Sequence, residues 1–285
     1  MVSHGFKRGK ADQTFFIKRE DNKLIVAQVY VDNIIFESTK DELAHSFSKL
    51  MQAEFKMSMI GELNHFLRLQ ICQQKSGIFI SQSKYAKNLM KKFGLDSASS
   101  VRTPMSPNVK LTINLLGKSV DSSLYRSMIS SLLYLTASRP DISYSVGVCA
   151  RYQANPKESH MIALKRIIKY VKTTVDFSVW HNKDTNDVLA GYSDANYAGN
   201  ADDRKSISGG FFYVGNNLVS WISKKQTFIS LSTVEAEYIA TGSYYTQLLW
   251  MQKLFLDYGI RQEHHTIYCD NTSTINISKN LVQHS

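Results

Sequence analysis

Cysteine and proline are scarce here: three and four residues respectively in a chain of 285. Cys72, Cys149 and Cys269 are far apart, odd in number and form no C-x-x-C pair. That pattern argues against a disulfide framework and against a zinc site, and it points to a reducing compartment. No stretch approaches the ~18–20 consecutive apolar residues of a membrane span. Residues Met1 to Lys10 lack the apolar centre of a secretory signal. The expected location is therefore intracellular, cytoplasmic or nuclear, with no membrane partner. Internal repeats and low-complexity tracts are also lacking, so nothing implies a repeat architecture.

What is present reads as a folded, globular chain, with 43% hydrophobic and 20% charged residues. The length allows one large or two to three small domains. Net charge is +10, unevenly spread. Residues 1–100 carry 15 basic and 10 acidic side chains, residues 101–185 carry 12 and 5, and residues 186–285 carry 7 and 9. The basic excess lies upstream of an acidic last third. A grip on a polyanion beside an acidic metal site would produce this distribution; so would ordinary solubilising surface charge.

Along the chain, Leu24 to Phe36 alternates β-branched and aromatic residues around Asp32-Asn33, which predicts a hairpin with Asp32 at its tip. A helix is expected from Thr39 to Phe55, with Thr39 as N-cap. A short strand follows over Gly77 to Ser81, then a basic helix over Ser83 to Phe93, stopped by Gly94. Residues 96–123 hold Pro104, Pro107 and many Ser, Thr and Asn, and read as a linker. A helix over Leu124 to Ser138 ends near Arg139-Pro140. Lys157 to Thr174 is amphipathic, with Leu164, Ile167, Ile168 and Val171 as the apolar stripe and Lys165, Lys169 and Lys172 opposite. That basic face, together with Lys224 and Lys225, is the candidate nucleic-acid surface.

From Val188 the expected order is strand, strand, strand, helix, strand, helix. Val188 to Asp194 is the first strand. Gly209 to Val214 and Leu218 to Ser223 form a hairpin across Gly215 to Asn217. A long helix runs from Ser232 towards Tyr258, with Gly259 as its stop, and Thr266 to Cys269 is the fourth strand. His264 and His265 are expected at the surface. Asp194, Glu237 and Asp270 each sit at a strand end or in the first turns of the helix. Three such carboxylates can converge on divalent metal ions, and paired metals drive phosphodiester hydrolysis. Ser232 and Glu235 match a capping box, which leaves Glu237, roughly 200° around the helix from Glu235, as the ligand. Oxygen ligands suit Mg²⁺ or Mn²⁺. The alternative is that both aspartates cap turns.

These phrases resemble copia-type retrotransposon Pol polyproteins in the region of reverse transcriptase followed by ribonuclease H. The resemblance runs through Val29-Tyr30-Val31-Asp32-Asn33, Thr103-Pro104-Met105, Tyr125-Arg126-Ser127, Arg139-Pro140-Asp141 and His160 with Lys165-Arg166. It continues through Asp194, Ser208-Gly209-Gly210, Trp221, Lys224-Lys225-Gln226, Glu235-Ala236-Glu237-Tyr238 and Asp270-Asn271. It implies an α/β chain in three parts: a reverse-transcriptase palm and thumb remnant (1–100), a mostly helical connection (101–183) and a ribonuclease H-like domain with a mixed sheet (184–285). It also implies two-metal chemistry with Mg²⁺ or Mn²⁺ and an RNA–DNA hybrid partner. Asp32 matches the family's polymerase metal ligand, and Asp194, Glu237 and Asp270 match the ribonuclease H cleft.

Five departures accompany the resemblance. Asn33 replaces the second Asp of the hairpin, removing a charge the cation needs. The family's other polymerase Asp lies upstream of the segment present, and its fourth ribonuclease H Asp lies beyond Ser285, so both domains are expected to be truncated. Arg68 and Ser130 stand where the family has Gly, and both changes are expected to destabilise if those positions need positive φ or close packing. The expected product is therefore catalytically defective. A non-catalytic nucleic-acid-binding protein is the alternative.

Overall fold

The computed structural model describes residues 1–106 and 110–280; Pro107 of the expected linker lies outside them. Contacts divide the chain into two units. One is Met1–Leu63 with Thr246–His265, and the other is Asn64–Tyr245 with the residues from Thr266 onward. Both expected boundaries, at 100 and 183, fall inside the second unit.

In the first unit, β1 (Lys7–Arg8), β2 (Phe15–Glu20), β3 (Lys23–Tyr30) and β4 (Asn33–Ser38) form an antiparallel sheet in that order. Helix α1 (Asp41–Glu54) closes its apolar face, where Phe6, Ile25, Ala27, Phe47 and Met51 are buried. The expected hairpin is β3–β4, shifted by one residue. Tyr30 pairs with Asn33, so the turn is Val31-Asp32, and Val31 takes φ 53°. A β-branched residue is strained there. The expected N-cap also moves: Lys40 precedes α1, while the Thr39 hydroxyl accepts from the Leu24 amide at 3.0 Å and serves the sheet instead. Within the same unit, the Asp257 carboxylate accepts from the amides of Lys10 and Ala11 at 2.9 and 2.8 Å.

The second unit holds two sheets and a helical cluster. Strands β5 (His65–Phe66), β6 (Leu69–Gln74), β7 (Gly77–Ser81) and β8 (Val179–Asn182) form one sheet in that order. Strand β8 therefore pairs with a strand about a hundred residues earlier. Helices α2 (Ser83–Lys92), α3 (Ser122–Leu135), α4 (Pro140–Ala150) and α5 (Glu158–Thr173) share one core, in which Tyr125, Ile129, Leu132, Ile142, Leu164 and Ile168 are fully buried. The stripe expected on α5 is this core face. Sequence reasoning reads Arg139-Pro140 only as a stop and misses α4. Pro140 is also its first residue, a position that needs no amide donor. With apolar residues on several sides, α4 shows no clear helical stripe.

Several residues of the recognisable phrases turn out to stitch this cluster together. The Arg139 guanidinium grips the Asp141 carboxylate at 2.8 and 2.7 Å and donates to the Thr174 carbonyl and hydroxyl. Burial pushes the Asp141 carboxyl up, but the Arg139 bonds outweigh it and leave the group below its ordinary value. His160 is wholly buried; its Nδ1 accepts from the Lys157 amide and its Nε2–H donates to the Thr112 carbonyl at 2.7 Å. Arg166 donates to the Thr103 carbonyl and hydroxyl. The segment 96–121 carries no regular element among its described residues, yet these bonds lace it to α5.

The other sheet is mixed, as expected. Its order is β11-β10-β9-β12, from β9 (Leu189–Asn196), β10 (Ile207–Val214), β11 (Asn217–Lys225) and β12 (Thr266–Tyr268). Strand β12 runs parallel to β9 and the other pairs are antiparallel. The β10–β11 turn is Gly215-Asn216, with Gly215 at φ 55° and Asn217 already in the strand. Helix α6 (Thr233–Asp257) packs on this sheet through Ala236, Ala240 and Tyr244, all buried. Its second half lies in the first unit. A Cβ on Gly210 would meet the Tyr244 ring at 3.0 Å, so this glycine permits the close approach of α6. Helix α7 (Thr272–Lys279) follows, capped by the Asn271 side chain accepting from the Thr274 amide. His264 is exposed as expected, but His265 is half-buried, with a shielded Nε2 that lacks a partner.

The two glycine departures separate. Phe66 pairs with Leu69, so Leu67-Arg68 is a two-residue hairpin turn with φ 46° and 60°. Glycine is the residue such a turn prefers, and Arg68 is strained as expected. Ser130 is an exposed position inside α3. A side chain is favoured over glycine there, so the expected destabilisation does not apply.

Arg68→Gly is expected to raise stability by about 0.5–1 kcal/mol, left-handed strain outweighing the lost stacking on Tyr85 and Tyr134. Ser130→Gly should lower it by about 0.5–1 kcal/mol. Urea unfolding of the two variants in parallel checks both signs. Asp141→Asn should cost about 3 kcal/mol, since it strands a buried guanidinium; a thermal melt within a degree or two of the parent would contradict the role given to that pair.

Candidate metal centre

The centre is built where β9 and β12 run side by side. The last parallel pair is Tyr192 with Tyr268. Asp194 and Asp270 each lie two residues further on, so register alone brings them to the same end of neighbouring strands. Helix α6 supplies Glu237 from its second turn. The Ser232 hydroxyl accepts from the Glu235 amide at 3.1 Å, while the Glu235 carboxylate reaches past the cap to the Leu231 amide at 2.6 Å. Glu235 is thus engaged at the helix start, as the capping pattern predicts, and Glu237 faces the sheet.

Glu237 is only 6% exposed. Its Oε1 accepts from the Ala195 amide at 2.9 Å, and its Oε2 is shielded from solvent with no partner. Burial pushes its carboxyl above the ordinary value; the Ala195 bond opposes this, and the Asp194 and Asp270 charges add to it. One Glu237 carboxylate oxygen, the Cys269 sulfur and one Asp270 carboxylate oxygen lie within 4.8 Å of one another. It is the one group of this kind among the described residues. An orphaned buried oxygen facing further acidic ligands fits a divalent cation, which would satisfy the oxygen and offset the repulsion.

Two features differ from the oxygen-only set expected. The thiol of Cys269 enters the group, and Asp194 does not. Ser193 is buried and bonded to Thr241 of α6 at 2.9 Å. Asp194 is exposed, lines a cavity of about 510 Å³ with Ser143, Tyr144, Phe211 and Trp221, and its charge acts on Glu237 together with that of Asp270.

Residues to which sequence reasoning gives no role hold the centre in place. Gln226 is buried, donates to the Ser208 hydroxyl and to the Ala236 carbonyl, and accepts from Ser230. The Thr274 hydroxyl donates to the Val234 carbonyl at 3.0 Å and pins α7 to the start of α6. The Gln226 bonds join three separate elements, and nothing local announces them; Thr274 shows only as a polar residue three positions after a capping Asn.

The other expected site residues are scattered. Asp32 is exposed at its turn, accepts from the Asn33 side-chain amide at 3.0 Å and joins no acidic group among the described residues. Lys165 and Lys224 are exposed, and Lys169 is half-buried. The Lys172 ammonium donates to the Ala98 carbonyl at 2.8 Å, and Lys225 pairs with Asp203 at 2.9 Å. These last two are engaged in holding the fold.

Residues 1–107 match the family model described as reverse transcriptase (RNA-dependent DNA polymerase). The retrovirus-related Pol polyprotein from transposon RE1 of Arabidopsis thaliana is 32% identical over 286 residues, covering 100% of this chain and 20% of that protein. The corresponding polyprotein from transposon TNT 1-94 of Nicotiana tabacum is 31% identical over 296 residues, covering 100% of this chain and 22% of that protein. An uncharacterized mitochondrial protein of Arabidopsis thaliana is 31% identical over 222 residues, 78% of this chain and 92% of its own length. The chain belongs to the Pol polyprotein family of copia-type retrotransposons, within its reverse-transcriptase-like region. It spans about a fifth of the length of the Pol polyproteins it matches. No solved structure matches it. No helix among the described residues is long and apolar enough to cross a membrane.

Because the folded Glu237 carboxyl titrates above its unfolded value, the folded state holds the extra proton as pH rises. Its contribution to stability is then present below about pH 4.5, the ordinary value, and is lost at higher pH. In metal-free buffer, Glu237→Gln should melt close to the parent at the acid end and increasingly above it as pH rises. Parallel melting curves across that range would contradict the buried, repelled carboxylate.

Proposed function

We propose that the part from residue 184 onward is a ribonuclease H-like module that holds a divalent cation and contacts RNA–DNA hybrid without cleaving it efficiently. The observation that carries this reading is the partnerless Oε2 of Glu237 beside Asp270, at the mouth of a parallel strand pair. Family membership supplies nucleic acid as the expected partner. When bound, the cation would supply Lewis-acid stabilisation of phosphate oxygens. Glu237 and Asp270 would hold it, and Asp194 would add negative charge beside them. The defect is supported by Asp194 standing outside the group of Glu237, Cys269 and Asp270, because two-metal hydrolysis needs carboxylates that share ions.

Residues 1–100 are read as a reverse-transcriptase palm and thumb remnant without polymerase chemistry. Asp32 joins no acidic group among the described residues, and its neighbour Asn33 donates to it where the family would offer a second carboxylate. The connection over 101–183 contributes Lys165 and Lys169 to the hybrid surface, with Lys224 beyond it. A purely binding role is the second reading; the exposed Lys165 and Lys224, on a chain of net charge +10, favour it.

A labelled RNA–DNA hybrid incubated with Mg²⁺ or Mn²⁺ tests both the defect and the nucleic-acid role. Salt-sensitive binding is expected, with RNA cleavage no faster than that of Asp194→Asn. Cleavage that disappears in Asp194→Asn would overturn the proposed defect, and a folded sample that ignores the hybrid at low salt would remove the nucleic-acid role altogether.

A further inference from the structure

The three cysteines lie in unlike surroundings. Cys149 is wholly buried; burial pushes its thiol up to about 12, and Tyr125 donates to its backbone carbonyl. Cys72 is exposed on β6 and joins no acidic group among the described residues. Cys269 is half-buried, with its sulfur within 4.8 Å of carboxylate oxygens from both Glu237 and Asp270.

We propose that Glu237, Cys269 and Asp270 form a binding site for a thiolate-accepting divalent cation, zinc in particular, in preference to magnesium. The proposal rests on the metal centre described above but assigns it a different occupant. The carboxylate that anchors the site is more than nine-tenths buried and has an oxygen with no partner, so a ligand of positive charge is what the pocket lacks. The donor set then selects the ion. Magnesium demands near-octahedral oxygen coordination and keeps its waters. A sulfur ligand with two carboxylates suits zinc, which ranks far above magnesium and manganese for such donors.

Bonds of about 2.0–2.3 Å in a tetrahedron place ligand atoms roughly 3.5 Å apart. The present spacing of up to 4.8 Å is wider than that, and Cys269 and Asp270, which both reach solvent, are the ligands that would close on the ion. Three protein ligands leave a fourth position for water. On coordination the thiol gives its proton to solvent, and the sulfur becomes an anionic ligand. Zinc held this way occupies the position a hydrolytic magnesium would need, so it acts as a competitor.

The test uses the full chain carrying Cys72→Ser, with and without Cys269→Ser, checked for equal folding by circular dichroism. Cobalt(II) serves as the optical probe and zinc as the competitor. A near-ultraviolet sulfur-to-cobalt charge-transfer band is expected in the first protein only. Zinc should abolish it, and zinc affinity should fall about 100-fold or more without Cys269, the upper end of what even an outer partner's loss costs a metal site. Should the double variant fail to fold, zinc protection of Cys269 from alkylation in the unaltered chain, read by mass spectrometry against Cys72, decides the same question. Manganese binding with no thiolate band and no protection would overturn the zinc assignment and leave the metal centre standing. Binding of neither ion would overturn both.

Discussion

The hydrogen bond from the Ala195 amide to Glu237 joins an inner strand of the mixed sheet to the helix that packs on it, and it does so with a buried carboxylate. Burying that group costs several kcal/mol unless charge or hydrogen bonds compensate. One bond offsets part of the cost; the other oxygen is left unpaired, and two acidic neighbours add repulsion. The surrounding structure is arranged to hold this group in place regardless. Gln226 fixes the backbone one residue from Glu237, Gly210 lets the helix approach, and Thr274 clamps the corner after β12. A sheet and helix that retain an unfavourable group in this way have a cation as the natural remedy.

The helical cluster rests on a different kind of interaction. Its core is ordinary apolar burial, but its connections run through hydrogen-bonded polar side chains. Arg139 with Asp141 and Thr174 ties the start of α4 to the end of α5, while His160 with Thr112 and Arg166 with Thr103 hold an irregular segment against α5. Residues of this kind look functional in a sequence because polar groups at fixed places often are. Here they satisfy backbone groups that a loop would otherwise leave to water.

The cations divide in the same manner. Lys172 and Lys225 resemble the other basic candidates in sequence, yet one is tied to a carbonyl of the linker and the other to Asp203. An expected nucleic-acid surface thus shrinks to the lysines that present their charge to solvent. The chain has basic excess enough for a polyanion, but part of it is engaged within the fold.

Local pattern was sufficient wherever one element's own period or cap decided the outcome. The α5 stripe, the Ser232–Glu235 start of α6, the Gly94 and Gly259 stops and the order of elements in the last third were all legible, because each follows from residues within one or two turns of chain. The strain at Arg68 was legible too, through the glycine its turn demands. Long-range pairing was not: β8 joins β7 across about a hundred residues, and α4 is apolar on too many sides to show a face. At the candidate metal centre the sequence by itself determined which acids lie near the ends of neighbouring strands and which glutamate is free of the cap. Only the tertiary structure decided that Cys269 enters the group and that Asp194 stays outside it. The distances among these side chains are set by how α6 lies on the sheet, which no local pattern carries.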